Sequence, residues 1–92
     1  MSVWSARGPN RPRILLVDDE EEILVALEDL LEDQYQILAT TDPFRALDLL
    51  RDHPDVATII SDQRMPGLTG DQLLMRARQF SDARSILLPG YA

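Results

Sequence analysis

Three aspartates carry the chemistry open to this sequence. Asp18 and Asp19 follow a short apolar run, Arg13 to Val17 (RILLV), and Asp62 follows another, Val56 to Ile60 (VATII), with Ser61 between. Both runs are brief and continuous, and the second is rich in β-branched residues, as expected of strands covered on both faces. In open parallel sheets, ligands sit beyond the carboxyl ends of the strands, where strand order reverses. If these two strands are neighbours, the three carboxylates converge, although more than forty residues separate Asp19 from Asp62. A cation relieves their mutual repulsion. Mg²⁺ suits the set, because it takes oxygen ligands and leaves positions for phosphate oxygens. With 16 acidic residues in the chain, an Asp-Asp pair also has a plainer reading, a strand-ending loop with solvated charges. The repeated acidic ending, with Glu20 after the first run and Met65-Pro66-Gly67 after the second, favours the site.

The intervening segments must place these strands side by side. From Glu20 the pattern turns helical: Ile23, Ala26, Leu27, Leu30 and Leu31 recur at three- and four-residue spacing, with Glu28, Asp29, Glu32 and Asp33 as the polar side. Tyr35 to Thr40 reads as a strand. Thr41-Asp42-Pro43 supplies a cap and a first-turn proline for a second helix, which offers Ala46, Leu47 and Leu50 to a core and stops at His53-Pro54. A loop follows Asp62 from Gln63 to Gly67. A third helix opens at Thr69 and Gly70 with Leu73, Leu74, Ala77 and Phe80 on one side, and Ser85 to Leu88 forms a fourth strand. Strands alternating with helices through short loops predict an α/β fold, a parallel sheet with helices on both faces.

Composition narrows the function classes. The 92 residues give one domain, and 45% apolar against 27% charged residues is the balance of a folded globular chain. A net charge of −7 opposes binding to polyanions, so nucleic acid is not an expected partner. No apolar run approaches the roughly 20 residues of a membrane span, which sets a cytoplasmic expectation. There is no cysteine and only one histidine, His53, so metal chemistry falls to oxygen ligands and hard cations. His53 itself reads as a helix-end residue. Residues 1–12, with Arg7, Arg11, Gly8, Pro9, Asn10 and Pro12, are expected to form a flexible arm before the domain at 13–92.

Ile14 to Glu20 (ILLVDDE) and Ile59 to Gly70 (IISDQRMPGLTG) resemble the receiver domains of two-component response regulators. The resemblance covers nearly everything after Pro12. It implies a doubly wound, flavodoxin-like sheet of order 2-1-3-4-5 and transfer of a phosphoryl group from a kinase phosphohistidine to an aspartate. By that likeness Asp62 is the acceptor. Asp18 and Asp19 match the pair supporting Mg²⁺, Asp19 more directly, and Arg64 matches the position whose backbone carbonyl completes the coordination. Such a domain is a phosphoryl acceptor rather than an enzyme. Its partners are a sensor histidine kinase and an output domain outside this chain. The chemistry is consistent with this role, since a carboxylate needs no general base near neutral pH.

Two departures bear on the switch. Pro89 aligns with the threonine or serine that ends the family's fourth strand, and proline offers neither a hydroxyl nor an N–H. The chain also stops at Ala92, before the family's fifth strand, with its lysine, and fifth helix. This predicts an uncovered apolar side on the first helix, a bare edge at the fourth strand, and either a homodimer that hides both or a destabilised monomer. A degenerate receiver serving as a non-catalytic interaction module is therefore the alternative function. A Mg²⁺-dependent aspartyl phosphatase would need a second acid where Arg64 stands. A nucleotide site would need a glycine-rich loop after the first strand, and there is none.

Overall fold

A computed structural model describes residues 11–89. Most of the expected arm, residues 1–10, and Gly90 to Ala92 lie outside the described residues. The elements run β1 (Arg13–Val17), α1 (Glu21–Leu31), β2 (Gln36–Thr40), α2 (Pro43–Asp52), β3 (Val56–Asp62), α3 (Gly70–Ala77) and β4 (Arg84–Leu88). The four strands form one parallel sheet of order β2-β1-β3-β4. The expected α/β doubly wound architecture is thus observed, with β1 and β3 as direct neighbours.

The sheet divides the core. On one face Leu15 and Val17 of β1 and Val56 and Ile59 of β3 pack with Ala46, Leu47 and Leu50 of α2 and Leu73, Leu74 and Ala77 of α3. On the other face Ile14 and Leu16 pack with α1 and the partly buried Ile37 and Ile60. Strict alternation would put Val56 and Ile59 on opposite faces. They share one because the ladder slips beside Ala57: Arg13 pairs with Val56 but Ile14 with Thr58. This bulge resets the pleat so that Ile59, Ser61 and Leu15 keep a common register with the core.

Local chemistry sets the helix ends. Asp42 accepts a hydrogen bond from Phe44 N at 2.9 Å, with Pro43 in the first turn, as its sequence predicts. Helix α1 has no basic residue in its last turn, and the Arg11 guanidinium supplies the missing donor, bonding the Glu32 carbonyl at 2.8 Å. Gln36 N bonds the Pro12 carbonyl and the Gln36 side chain bonds the Arg11 carbonyl. Arg11 and Pro12 are therefore tied to the domain rather than belonging to a free arm.

Two sequence readings of the core need correction. In α1 the deeply buried residue is Leu24, which the three- and four-residue count passed over, with Leu27 and Leu31 partly buried beside it. Leu30 is 74% exposed and Ile23 lies on the exposed flank, because α1 has two apolar stripes and the sheet takes only one. Phe80 lies beyond the end of α3, 40% exposed, with the Arg51 guanidinium 4.6 Å from its ring centroid. Ile86 and Leu87 of β4 are also exposed, and among the described residues β4 pairs only with β3.

Helix α3 meets the sheet at very short range through Gly70. A Cβ added there would collide with the Asp62 carbonyl and with the Leu87 side chain. Because backbone cannot yield as a flexible side chain does, Gly70→Ala is expected to destabilise the fold by about 1–3 kcal/mol in urea denaturation. The same measurement separates the two stripes of α1. Leu24→Ala is expected to cost about 2–5 kcal/mol, and Leu30→Ala to stay within about 0.5 kcal/mol of the parent.

Candidate functional site

The parallel pairing of β1 with β3 sets Val17 opposite Ser61, so both strands run out at the same edge of the sheet. Asp18 and Asp19 leave β1 there, and Asp62 ends β3. One carboxylate oxygen from each of the three lies within 4.8 Å of the others. They open into a cleft of about 320 Å³ lined also by Glu20, Ile23, Arg64, Leu88 and Pro89. All four residues expected at the site thus border one cleft, although they come from two separate stretches of sequence.

The three acids differ in surroundings. Asp18 is 6% exposed, Asp62 half-buried and Asp19 exposed. Asp18 Oδ1 accepts a hydrogen bond from Glu20 N at 2.9 Å, which turns the chain from β1 into α1. Burial pushes the Asp18 carboxyl above the usual aspartate range. The Glu20 N–H opposes that shift, while the charges of Asp62, Asp19 and Glu20 add to it. The cluster thus stores electrostatic repulsion. A hard divalent cation fits this donor set, being bound by carboxylates and tolerant of one ligand already hydrogen-bonded.

The loop after Asp62 is anchored at several points. Met65 and Leu68 are buried in the α2–α3 core, and Gly67 takes φ +86°, a left-handed conformation suited to glycine. Gln63, to which the sequence assigns only a place in a loop, bonds the start of α3 twice. Its carbonyl accepts from Gly70 N at 3.0 Å and its side-chain Oε1 accepts from Asp71 N at 2.9 Å. Thr69 N donates to Gln72 Oε1 at 3.0 Å, and Thr69 Oγ1 donates to Asp71 Oδ1 at 2.6 Å. The Thr69 hydroxyl foremost, and then the Gln63 amide and nearby backbone N–H groups, hold the Asp71 carboxyl below its usual range. A polar residue seven positions before the first residue of a helix is too weak a signal for sequence reading to identify this clamp.

Two further expectations resolve here. His53 caps the end of α2 through its N–H to Leu49 O, and its Nδ1 lies 3.2 Å from Arg13 Nη1, at the opposite end of β1 from the cleft. It is the helix-end residue the sequence suggests. Pro89 borders the cleft directly after Leu88, whose register partner is Asp62. It therefore stands beside the acid without a hydroxyl to offer. Among the described residues no helix is long and apolar enough to cross a membrane.

Known proteins resemble this chain in sequence and in fold. The chain is 33% identical over 90 residues to the two-component response regulator ORR5 of Oryza sativa subsp. japonica, covering 94% of this chain and 67% of that protein. A response regulator receiver domain protein from Clostridium thermocellum superposes with a TM-score of 0.81 at 28% identity, over 87% of this chain and 66% of that one. The signal receiver domain of an HD domain-containing protein from Pseudomonas fluorescens Pf-5 superposes at 0.79 with 36% identity, over 87% of this chain and 60% of that one. The chain thus spans about two thirds of the length of these relatives. The response regulator receiver domain profile matches residues 14–90, which takes in both acid-bearing strand ends and every element between them. With its strand order, its acid cleft and its relatives in agreement, this chain belongs to the response regulator receiver domain family of two-component signalling.

Proposed function

We propose that Asp62 accepts a phosphoryl group from the phosphohistidine of a sensor histidine kinase, in a cytoplasmic regulator whose output domain lies outside this chain. The observation that carries this reading is the convergence of Asp18, Asp19 and Asp62 in one cleft at the carboxyl ends of neighbouring strands. In the transfer, an Asp62 carboxylate oxygen attacks phosphorus in line. The P–N bond to the kinase histidine, whose ring is protonated on its other nitrogen, breaks as the P–O bond forms; the bonding pair stays on nitrogen, leaving an acyl phosphate on Asp62 and a neutral imidazole on the kinase.

Asp18, Asp19, Asp62 and the Arg64 backbone carbonyl would hold Mg²⁺, which when bound neutralises charge on the phosphoryl oxygens. The protein's own part is positional. The Glu20 N–H orients Asp18, and β3 presents Asp62 to the open side of the cleft. Ile23 and Leu88 provide apolar walls that limit water around the acceptor.

A second reading, an interaction module that pairs as a homodimer, is favoured by Pro89 in the cleft wall and by the exposed Ile23, Leu30 and Ile86. A monodisperse monomer in light scattering removes the homodimer from that reading.

Intact-mass spectrometry after incubation with a small-molecule phosphodonor and Mg²⁺ decides between the two readings. A phosphoryl adduct is expected on the parent and none on Asp62→Asn. No adduct on a folded parent leaves the interaction module as the function.

Thermal unfolding tests the metal. Mg²⁺ at a hundred times its dissociation constant is expected to stabilise the parent by about 2.7 kcal/mol, and to do much less for Asp18→Asn or Asp19→Asn. Acidity should weaken this effect, because protons compete for Asp18, whose carboxyl is raised in the fold. Without a cation the sign is the reverse of the usual aspartate case. A raised folded-state pKa means that Asp18 imposes no penalty below the ordinary value of 3.8 and the full penalty above the raised one. Stability from this group is therefore lost as pH rises through that window. Asp18→Asn should remove the loss and be more stable than the cation-free parent at neutral pH.

A further inference from the structure

The geometry points to Gln63 as a positioning residue that fixes the acceptor loop against the start of α3 and so sets the cleft's affinity for a divalent cation. The inference rests on the phosphoacceptor reading and deepens it. Gln63 is the residue between the acceptor and Arg64, the expected carbonyl ligand. A helix leaves its first N–H groups without intrahelical partners. Here one residue accepts from two of them, its carbonyl from Gly70 N and its side chain from Asp71 N.

The fit around these bonds is close. The absence of a Cβ at Gly70 lets the helix start press against the Asp62 carbonyl, so the backbone at 62–63 and the backbone at 70–71 hold each other. Gln72 and Thr69 engage the remaining groups of that turn, so the start of α3 is occupied by the protein's own acceptors. Asp71 receives the Gln63 contact on both its N–H and its carboxylate side. Removing the side chain at 63 leaves the Asp71 N–H to solvent, and the start of α3 then holds residue 63 through the Gly70 N–H alone. With one tie in place of two, the neighbouring Arg64 carbonyl has more freedom to lose when the cation binds, and affinity falls by that cost.

Calorimetric titration of the full chain with MgCl₂ alone tests this on the parent, on Gln63→Ala and on Gln63→Glu/Asp71→Asn. The last restores an acceptor at 63 without setting two carboxylates against each other. Gln63→Ala is expected to raise the Mg²⁺ dissociation constant about tenfold, the lower end of what loss of an outer-shell partner costs. The double variant should return it towards the parent value. Amide hydrogen exchange at Asp71 should quicken in Gln63→Ala and slow again in the double variant. A merely structural role would lower the melting temperature of Gln63→Ala and leave its Mg²⁺ affinity unchanged. Unchanged affinity in a folded Gln63→Ala, beside a parent that binds Mg²⁺, overturns the inference alone. A parent that binds no Mg²⁺ overturns the metal reading and this inference with it.

Discussion

Repulsion among three carboxylates at the open end of a parallel strand pair is the constraint on which the rest of this structure turns. Nothing in the local sequence near Asp18 brings it close to Asp62; only the β1–β3 ladder does so, and that ladder is built from residues with no polar chemistry of their own. Leu15, Leu16 and Ile59 are almost entirely buried, and their burial is what offsets the cost of holding like charges together. The apolar interior and the acidic rim are thus two ends of the same strands. The charge that these three acids gather is what a bound cation would relieve.

Strand pairing aims two of the walls, and the third depends on a loop. Seven residues connect Asp62 to the first residue of α3, long enough to wander if left to themselves. They are pinned by two buried side chains, Met65 and Leu68, by the left-handed Gly67, and by the two hydrogen bonds that Gln63 accepts from the start of α3. The amino end of α3 is therefore turned inward, its donors engaged by the chain itself. The cleft's electrostatics are left to the acids and whatever cation they attract.

Much of this was legible in the sequence because the signals were local and strong. The apolar runs that stop at acid gave β1 and β3, Asp42-Pro43 gave the start of α2, and the motifs around Asp18-Asp19 and Asp62 gave the cleft. What escaped depends on tertiary context. Periodicity reports that a helix is apolar on some side, but in α1 Ile23 and Leu30 lie on one stripe and Leu24, Leu27 and Leu31 on another, and only the position of the sheet chooses between them. The slip beside Ala57 leaves β3 reading as an ordinary run, since its effect is on pairing and not on composition. Gln63 and Arg11 are missed for a similar reason, because a polar side chain that caps a distant helix looks like any solvated residue until the helix is in place.

The contact between Gly70 and the Asp62 carbonyl has a mechanical consequence. On that side of Asp62, backbone bears directly on backbone and has no slack to take up. Across the cleft stands the end of β4 at Leu88, followed by Pro89, and among the described residues this strand has a neighbour on one side only. A group arriving at Asp62 thus meets, on the α3 side, a jaw that does not give. Strain created there finds no outlet toward α3, which serves as the anvil.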